Sequence, residues 1–194
     1  MANNVTNIIR FKGDASQIEA MRTAIQDDEY GVTSIDFDKI IPMPEGLWMG
    51  GINPDTRAIY GKNNWLDWSI ANWGTKWNAY HFACDDYESD KITFYTANTA
   101  PHPILKRISE MYPNITMHHQ WADDNVGYNC GERTYKGGQM LDEYYPDYGK
   151  RAVEFACKVM GTKPADHYLM LNEEGTEYVC MDSEESPDIN MGSM

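Results

Sequence analysis

KITFYTA (Lys91–Ala97), PHPILKRISEMY (Pro101–Tyr112) and ITMHHQW (Ile115–Trp121) follow one another with short joints between them. The first reads as a strand. The second opens on two prolines, which the first turn of a helix tolerates because amides there have no intrahelical partner. It then sets Ile104, Ile108 and Met111 on one buried stripe. Pro113-Asn114 stops it. The third alternates Ile115, Met117, His119 and Trp121 against Thr116, His118 and Gln120, the period of a half-buried strand. Strand, helix and strand in this order form the centre of a split β-α-β arrangement.

Upstream, Val5–Phe11 reads as a strand and Gly13-Asp14 opens a helix. Asp14 and Gln17 have the spacing of a capping box, and Ile18, Met21 and Ile25 share a stripe. A second strand is expected over Val32–Phe37, ended by Pro42 and Pro44, which cannot donate to a ladder. Residues 45–63 read as a long Gly-, Asn- and Pro-rich loop. Asn64 caps a short helix to Trp73, with Gly74 as its stop and Leu66, Ile70 and Trp73 as its buried face. Trp77–Cys84 is expected to pair with Lys91–Ala97 across a polar loop, Asp85–Asp90.

Downstream, Val126–Tyr135 is the expected hairpin partner of Ile115–Trp121, broken by Gly137-Gly138. A helix over residues 147–160 sets Tyr148, Ala152, Phe155, Ala156 and Val159 on one stripe, and Gly161 suits its left-handed C-terminal position. Tyr168–Leu171 and Thr176–Cys180 could form a last hairpin. The plan is one α+β domain, residues 1–180, on a ferredoxin-like split β-α-β sheet with helices on one face. It carries a Trp-rich helical insertion, about residues 45–76, and an added C-terminal helix. Residues 181–194 are expected to be an acidic disordered tail.

The chain has 194 residues, 42% hydrophobic and 24% charged, enough for a core without disulfide or metal support. Its net charge is −14, and no Lys or Arg follows Lys163, where eight acids do. Nucleic-acid or anionic-membrane binding needs clustered Lys and Arg, and none is visible. An acidic surface suits a basic protein partner instead. Met1–Asn7 is polar and uncharged, unlike a secretory leader, so a cytoplasmic protein with reduced thiols is expected.

IDFDKIIPMPEGL (Ile35–Leu47) and NWLDWSIANWGTKWNAY (Asn64–Tyr80) resemble the YubB-like, ferredoxin-like family of proteins carried by bacteriophages and conjugative plasmids. TFYTA (Thr93–Ala97), then Pro101, Pro103, Ile104 and Pro113, is similar in kind, as is the stretch with Gly131, Glu132 and Tyr135. Asn98-Thr99-Ala100 departs from the pattern. The resemblance covers roughly residues 2–160. It implies the fold and a mobile-element setting in a bacterial host cell. It transfers no catalytic residue and no cofactor.

Trp65, Trp68, Trp73 and Trp77 are the strongest local feature. As filler, the insertion helix folds onto the sheet and the rings close the gap. As a recognition surface, Trp65 and Trp68 are the exposed anchors, with Lys76 and Asn78 at the rim, since Trp dominates binding hot spots. His118 and His119 point to opposite faces of a strand and cannot share one metal. A thiol site would need Cys130 brought to one of them. Asp85-Asp86, Glu88, Asp90 and Asp123-Asp124 lack the Ca²⁺-loop pattern and read as turn residues. No phosphate-loop, dinucleotide or nucleophile-elbow motif is present.

The expectation is therefore a non-enzymatic accessory protein that binds a host protein with a basic surface, in its sharpest form a counter-defence inhibitor of an immune protein or nuclease. The alternative is a single-stranded nucleic-acid module stacking bases on Tyr80, Phe82, Phe94 and Tyr95. A Cys/His enzyme is third. No cofactor or metal is expected, and the oligomeric state is open.

Overall fold

A computed structural model describes residues 2–83 and 88–181. In chain order it contains β1 (Asn4–Lys12), α1 (Ala15–Ile25), α2 (Pro54–Tyr60), α3 (Trp65–Asn72), β2 (Lys91–Ala97), α4 (His102–Met111), β3 (Thr116–Asp123) and β4 (Cys130–Lys136). β5 (Gln139–Tyr144), α5 (Lys150–Met160), a 3-10 turn (Pro164–His167), β6 (Leu169–Leu171) and β7 (Tyr178–Cys180) complete it. Five strands form one sheet in the order β2-β1-β3-β4-β5, every neighbouring pair antiparallel. Because β2 and β3 each run antiparallel to β1 between them, they are parallel to one another. With α4 as the crossover they make the expected split β-α-β unit. β6 and β7 form a separate two-stranded hairpin, also as expected.

Strand alternation divides the sheet into two faces. Ile9 lies opposite Ile92 and His119, and Phe11 opposite Met117. Ile9, Phe11, Ile92 and Met117 join Ile18, Met21 and Ile25 of α1 and Ile104, Leu105 and Ile108 of α4 in the main core. Each such fully buried aliphatic side chain contributes about 1.5–3 kcal/mol of transfer free energy. The C-terminal helix takes the other face, where Ala152, Ala156 and Val159 of α5 pack on Ala122, Cys130 and Ile8. Within the stripes expected from sequence, Met111 is exposed and Leu105 takes its buried place. Tyr148 precedes α5 and stands in solvent.

α1 starts where Asp14 Oδ1 accepts from the Gln17 amide (3.1 Å) and the Ser16 hydroxyl (2.5 Å), the first half of the capping box. Its buried face includes Arg22, whose Nε and Nη2 donate to the Val32 carbonyl (3.1 and 2.7 Å) and whose Nη1 donates to the Glu88 carbonyl (2.6 Å). That side chain ties the start of Val32–Phe37, which is not a strand, to α1. Both edges of β1 are occupied by β2 and β3. The segment runs alongside instead, tied by Arg22 and by the Asp36 amide donating to the Ile25 carbonyl (2.7 Å). Its apolar alternation still inserts Ile35 and Phe37 into the core.

Three further differences concern polar stretches. The loop expected at 45–63 contains α2, whose capping box joins Asn53 and Thr56 and whose first turn holds Pro54. The described part of the strand expected at Trp77–Cys84, residues 77–83, is not a ladder strand. Tyr80 bridges Tyr95 in both directions and the Ala83 amide reaches the Thr93 carbonyl, while His81 breaks the run at φ +53°. Residues 84–87, which include the first half of the expected hairpin loop, lie outside the described residues, as do 182–194 of the expected tail. β5 was not anticipated. Gly137 and Gly138 do not end the sheet but turn it, at φ +57° and +78°, the two positive values that a two-residue hairpin turn requires.

Candidate functional site

The insertion is built from caps. Asn64 is buried at the start of α3. Its Oδ1 accepts from the Asp67 amide (2.9 Å), and its Nδ2 donates to Asp67 Oδ2 (2.6 Å) and to the Gly61 carbonyl (2.9 Å). Arg57 of α2 grips the same carboxylate at 2.7 and 3.3 Å, joining the two short helices. The Asn64, Lys91 and Ser16 hydrogen bonds hold the carboxyls of Asp67, Glu88 and Asp14 respectively below their ordinary range. After α3, Gly74 turns the chain at φ +79°, and a Cβ there would meet Pro103 Cδ at 2.6 Å. The insertion is thereby seated on the first turn of α4.

The buried face of α3 is Ser69 and Trp73, not Leu66, Ile70 and Trp73; Ile70 is 53% exposed. Trp73 is the anchor. Its indole donates to the Ile41 carbonyl (2.8 Å), and its ring meets Phe37 and Trp68 edge-on at 5.9 and 5.4 Å. Trp68 is partly buried and packs against the main core. Trp65 is half-buried, its indole donating to the Gly50 carbonyl (3.0 Å). Trp77 stays 38% exposed, with the Lys76 ammonium 4.7 Å above its ring.

Trp65, Trp73, Lys76, Trp77 and Asn78 line one open groove of about 630 Å³, closed on the other side by the Met43–Met49 loop. Three of the four residues singled out from sequence therefore meet in it, and Trp68 does not. Asn78 is less a rim contact than a brace. Its Oδ1 accepts from the amides of Phe37 and Ala79 (2.9 and 2.8 Å), and its Nδ2 donates to Asp36 Oδ1 (2.7 Å). Sequence reasoning missed Met49, which is 66% exposed at the groove mouth. The clue was an apolar LWM run (Leu47–Met49) inside an otherwise polar loop. Asp36, Asp38 and Glu45 also line the groove, against the single base Lys76.

The other candidates are not assembled into a reactive centre. His119 is fully buried on the α4 face, its Nε2 3.0 Å from Asn7 Oδ1. Asn7 Nδ2 already donates to Val5 O and Thr96 Oγ1, so its Oδ1 receives the His119 proton and the ring carries it on Nε2. Cys130 faces α5 on the opposite side of the sheet, its thiol 3.7 Å from the Ala152 carbonyl, and burial pushes its pKa up to about 11. A thiol in that state is not a nucleophile. His118 lies 3.5 Å from Glu132 on the exposed face. Asp123 accepts from Asn3, Asn129 and the Asn125 amide, and Asp124 from Asn4. Among the described residues no three His, Cys, Asp or Glu side chains are grouped to hold a metal.

The four rings of the base-stacking alternative do not share one open face. Phe94 is in the core against Phe37, and Tyr95 is covered by His81 at 4.5 Å and by Tyr80. No described helix is long and apolar enough to cross a membrane.

Fold and topology thus define an α+β domain of ferredoxin-like type, with a helical insertion carrying the groove. Residues 72–163, from the end of α3 through the split unit, β4 and β5 to α5, match the family model of a ferredoxin-like domain in Api92-like protein. Neither the curated proteins nor the solved structures yield a match to the chain.

Proposed function

We propose that this chain works without catalysis, as an accessory protein that binds a protein partner through the tryptophan groove. The observation that carries the reading is the groove itself. Trp77 and Met49 stand open to solvent above Trp73 and Trp65, which are locked by indole hydrogen bonds. Rigid aromatic anchors in a pocket with a polar rim are the usual centre of a binding hot spot. Asp36, Asp38 and Glu45 at the groove, and a net charge of −14, favour a partner with a basic surface and speed encounter with it. In the phage or conjugative-plasmid setting that the family resemblance implies, that partner is a host immune protein or nuclease, whose nucleic-acid groove supplies the basic surface.

The test is affinity capture from bacterial host extract with the wild-type chain, Met49→Glu and Trp77→Ala, all checked for an unchanged melting temperature. A stoichiometric partner held by the wild type, lost by both variants and released at high salt supports the reading. No stoichiometric partner, or equal retention by all three proteins, overturns it.

A further inference from the structure

A larger cleft, of about 850 Å³, opens on the α5 side of the sheet, apart from the tryptophan groove. The β3–β4 loop, the approach to α5 and the 3-10 turn form its walls. Tyr128, Tyr148 and Tyr168 line it at 69%, 83% and 77% exposure, and Tyr178 adds a fourth ring. Apart from Ile59, no large apolar side chain among the described residues is as exposed as these three. Each belongs to a different segment, yet all converge on one cavity. Tyr168 is held there at φ +57°, a backbone region that a bulky residue adopts only when its surroundings impose it. The Met181 amide donating to the Tyr168 carbonyl (2.8 Å) fixes that conformation.

The charges around the rings have one sign. Asp124 and Asp166 line the cleft and no Lys or Arg does. The bases next to Gly149 in sequence are engaged elsewhere: Lys150 donates to the Gly175 carbonyl (3.0 Å) and Arg151 pairs with Asp147 (3.1 Å). Asp166 is held in place by accepting the Lys163 amide at 2.8 Å. Electron-rich ring faces beside carboxylates attract organic cations. In sequence, the acids that follow Cys180, Asp182, Glu184, Glu185 and Asp188, carry the same sign as Asp124 and Asp166.

We propose that this cleft is a binding site for an organic cation, an ammonium or guanidinium group, seated on the tyrosine faces and neutralised by Asp124 and Asp166. The proposal is independent of the tryptophan groove. It is tested on the full chain by amide NMR titration with tetramethylammonium chloride, and with blocked Gly-Arg-Gly and Gly-Glu-Gly peptides, at constant ionic strength in NaCl. Saturable shifts confined to residues 124–128, 148–149 and 166–169, from the cations alone, are expected. Tyr148→Ala and Asp166→Asn each weaken binding about fivefold, and Trp77→Ala leaves it unchanged. Tighter binding of the arginine peptide identifies a side chain as the source, and tighter binding of tetramethylammonium a small molecule. Absence of saturation with both cations, equal shifts from the glutamate peptide, or indifference to both cleft variants overturns the proposal.

Discussion

Acid should loosen this fold through two buried histidines. His102, in the first turn of α4, has its Nδ1 3.1 Å from the Tyr135 hydroxyl and its ring edge-on to Trp121 at 4.7 Å. Burial, reinforced by the Arg133 charge, lowers its pKa from 6.5 to about 4. His119 beneath it is held still more firmly neutral by burial, then by His102, His118 and Arg133. A histidine whose folded pKa lies below its unfolded value is protonated first in the unfolded chain. Its stabilisation is complete above pH 6.5 and is lost as pH falls from 6.5 towards 4. Integrating that difference between pH 7 and pH 5 gives about 2 kcal/mol for His102 alone. Urea unfolding with a slope of roughly 2 kcal/mol/M should show the midpoint falling by about 1 M over this range. His102→Phe keeps a ring against Trp121 and removes the titration. It should lose about 1 kcal/mol at pH 7, from the Tyr135 bond, and about 2 kcal/mol less than wild type on going to pH 5. The lowered carboxyls of Asp14, Asp67 and Glu88 release their stabilisation only as pH falls from the ordinary carboxylate range through their lower folded values. Equal pH dependence in wild type and His102→Phe would refute the argument.

Trp73→Ala should destabilise the fold by about 3–5 kcal/mol in urea titration, because it opens a cavity beside Phe37 and leaves the Ile41 carbonyl without its donor. Gly74→Ala combines a positive φ with a Cβ pressed on Pro103, and should cost about 1–3 kcal/mol in the same assay. Under native conditions at pH 8, iodoacetamide should label the exposed Cys180 at least tenfold faster, as an order of magnitude, than the buried Cys130 whose pKa is raised to about 11. Mass spectrometry of peptic fragments reads the ratio, and comparable rates would contradict the burial.

The split β-α-β unit was legible because each of its parts carries a strong local signal. Ile115 to Trp121 alternates cleanly, and Pro101 and Pro113 bracket α4. Val32–Phe37 has the same alternation and still misleads. Periodicity reports which side chains are buried, not whether a ladder partner is available, and β1 had no free edge. β5 was hidden for the opposite reason. Every residue in it is exposed, so its sequence has no buried face to read, and two glycines that signal a stop equally serve a tight turn. The groove was half legible. Trp65, Lys76 and Asn78 were selected by composition, but α3 buries Ser69 and Trp73 in place of the expected Leu66 and Ile70, and Met49 arrives from a distant loop. The tyrosine cleft draws on segments some fifty residues apart, and no local pattern could announce it.

The two margins of the main sheet are unlike. β2 is hemmed by the Tyr80 and Ala83 backbone bonds, whereas β5, among the described residues, offers its outer row of amides and carbonyls to nothing. Any further strand can therefore join from one side only, beside Asp142 and Glu143. Two copies meeting there would exhaust each other's vacancy, so growth stops at a pair and an endless ribbon cannot propagate through this sheet.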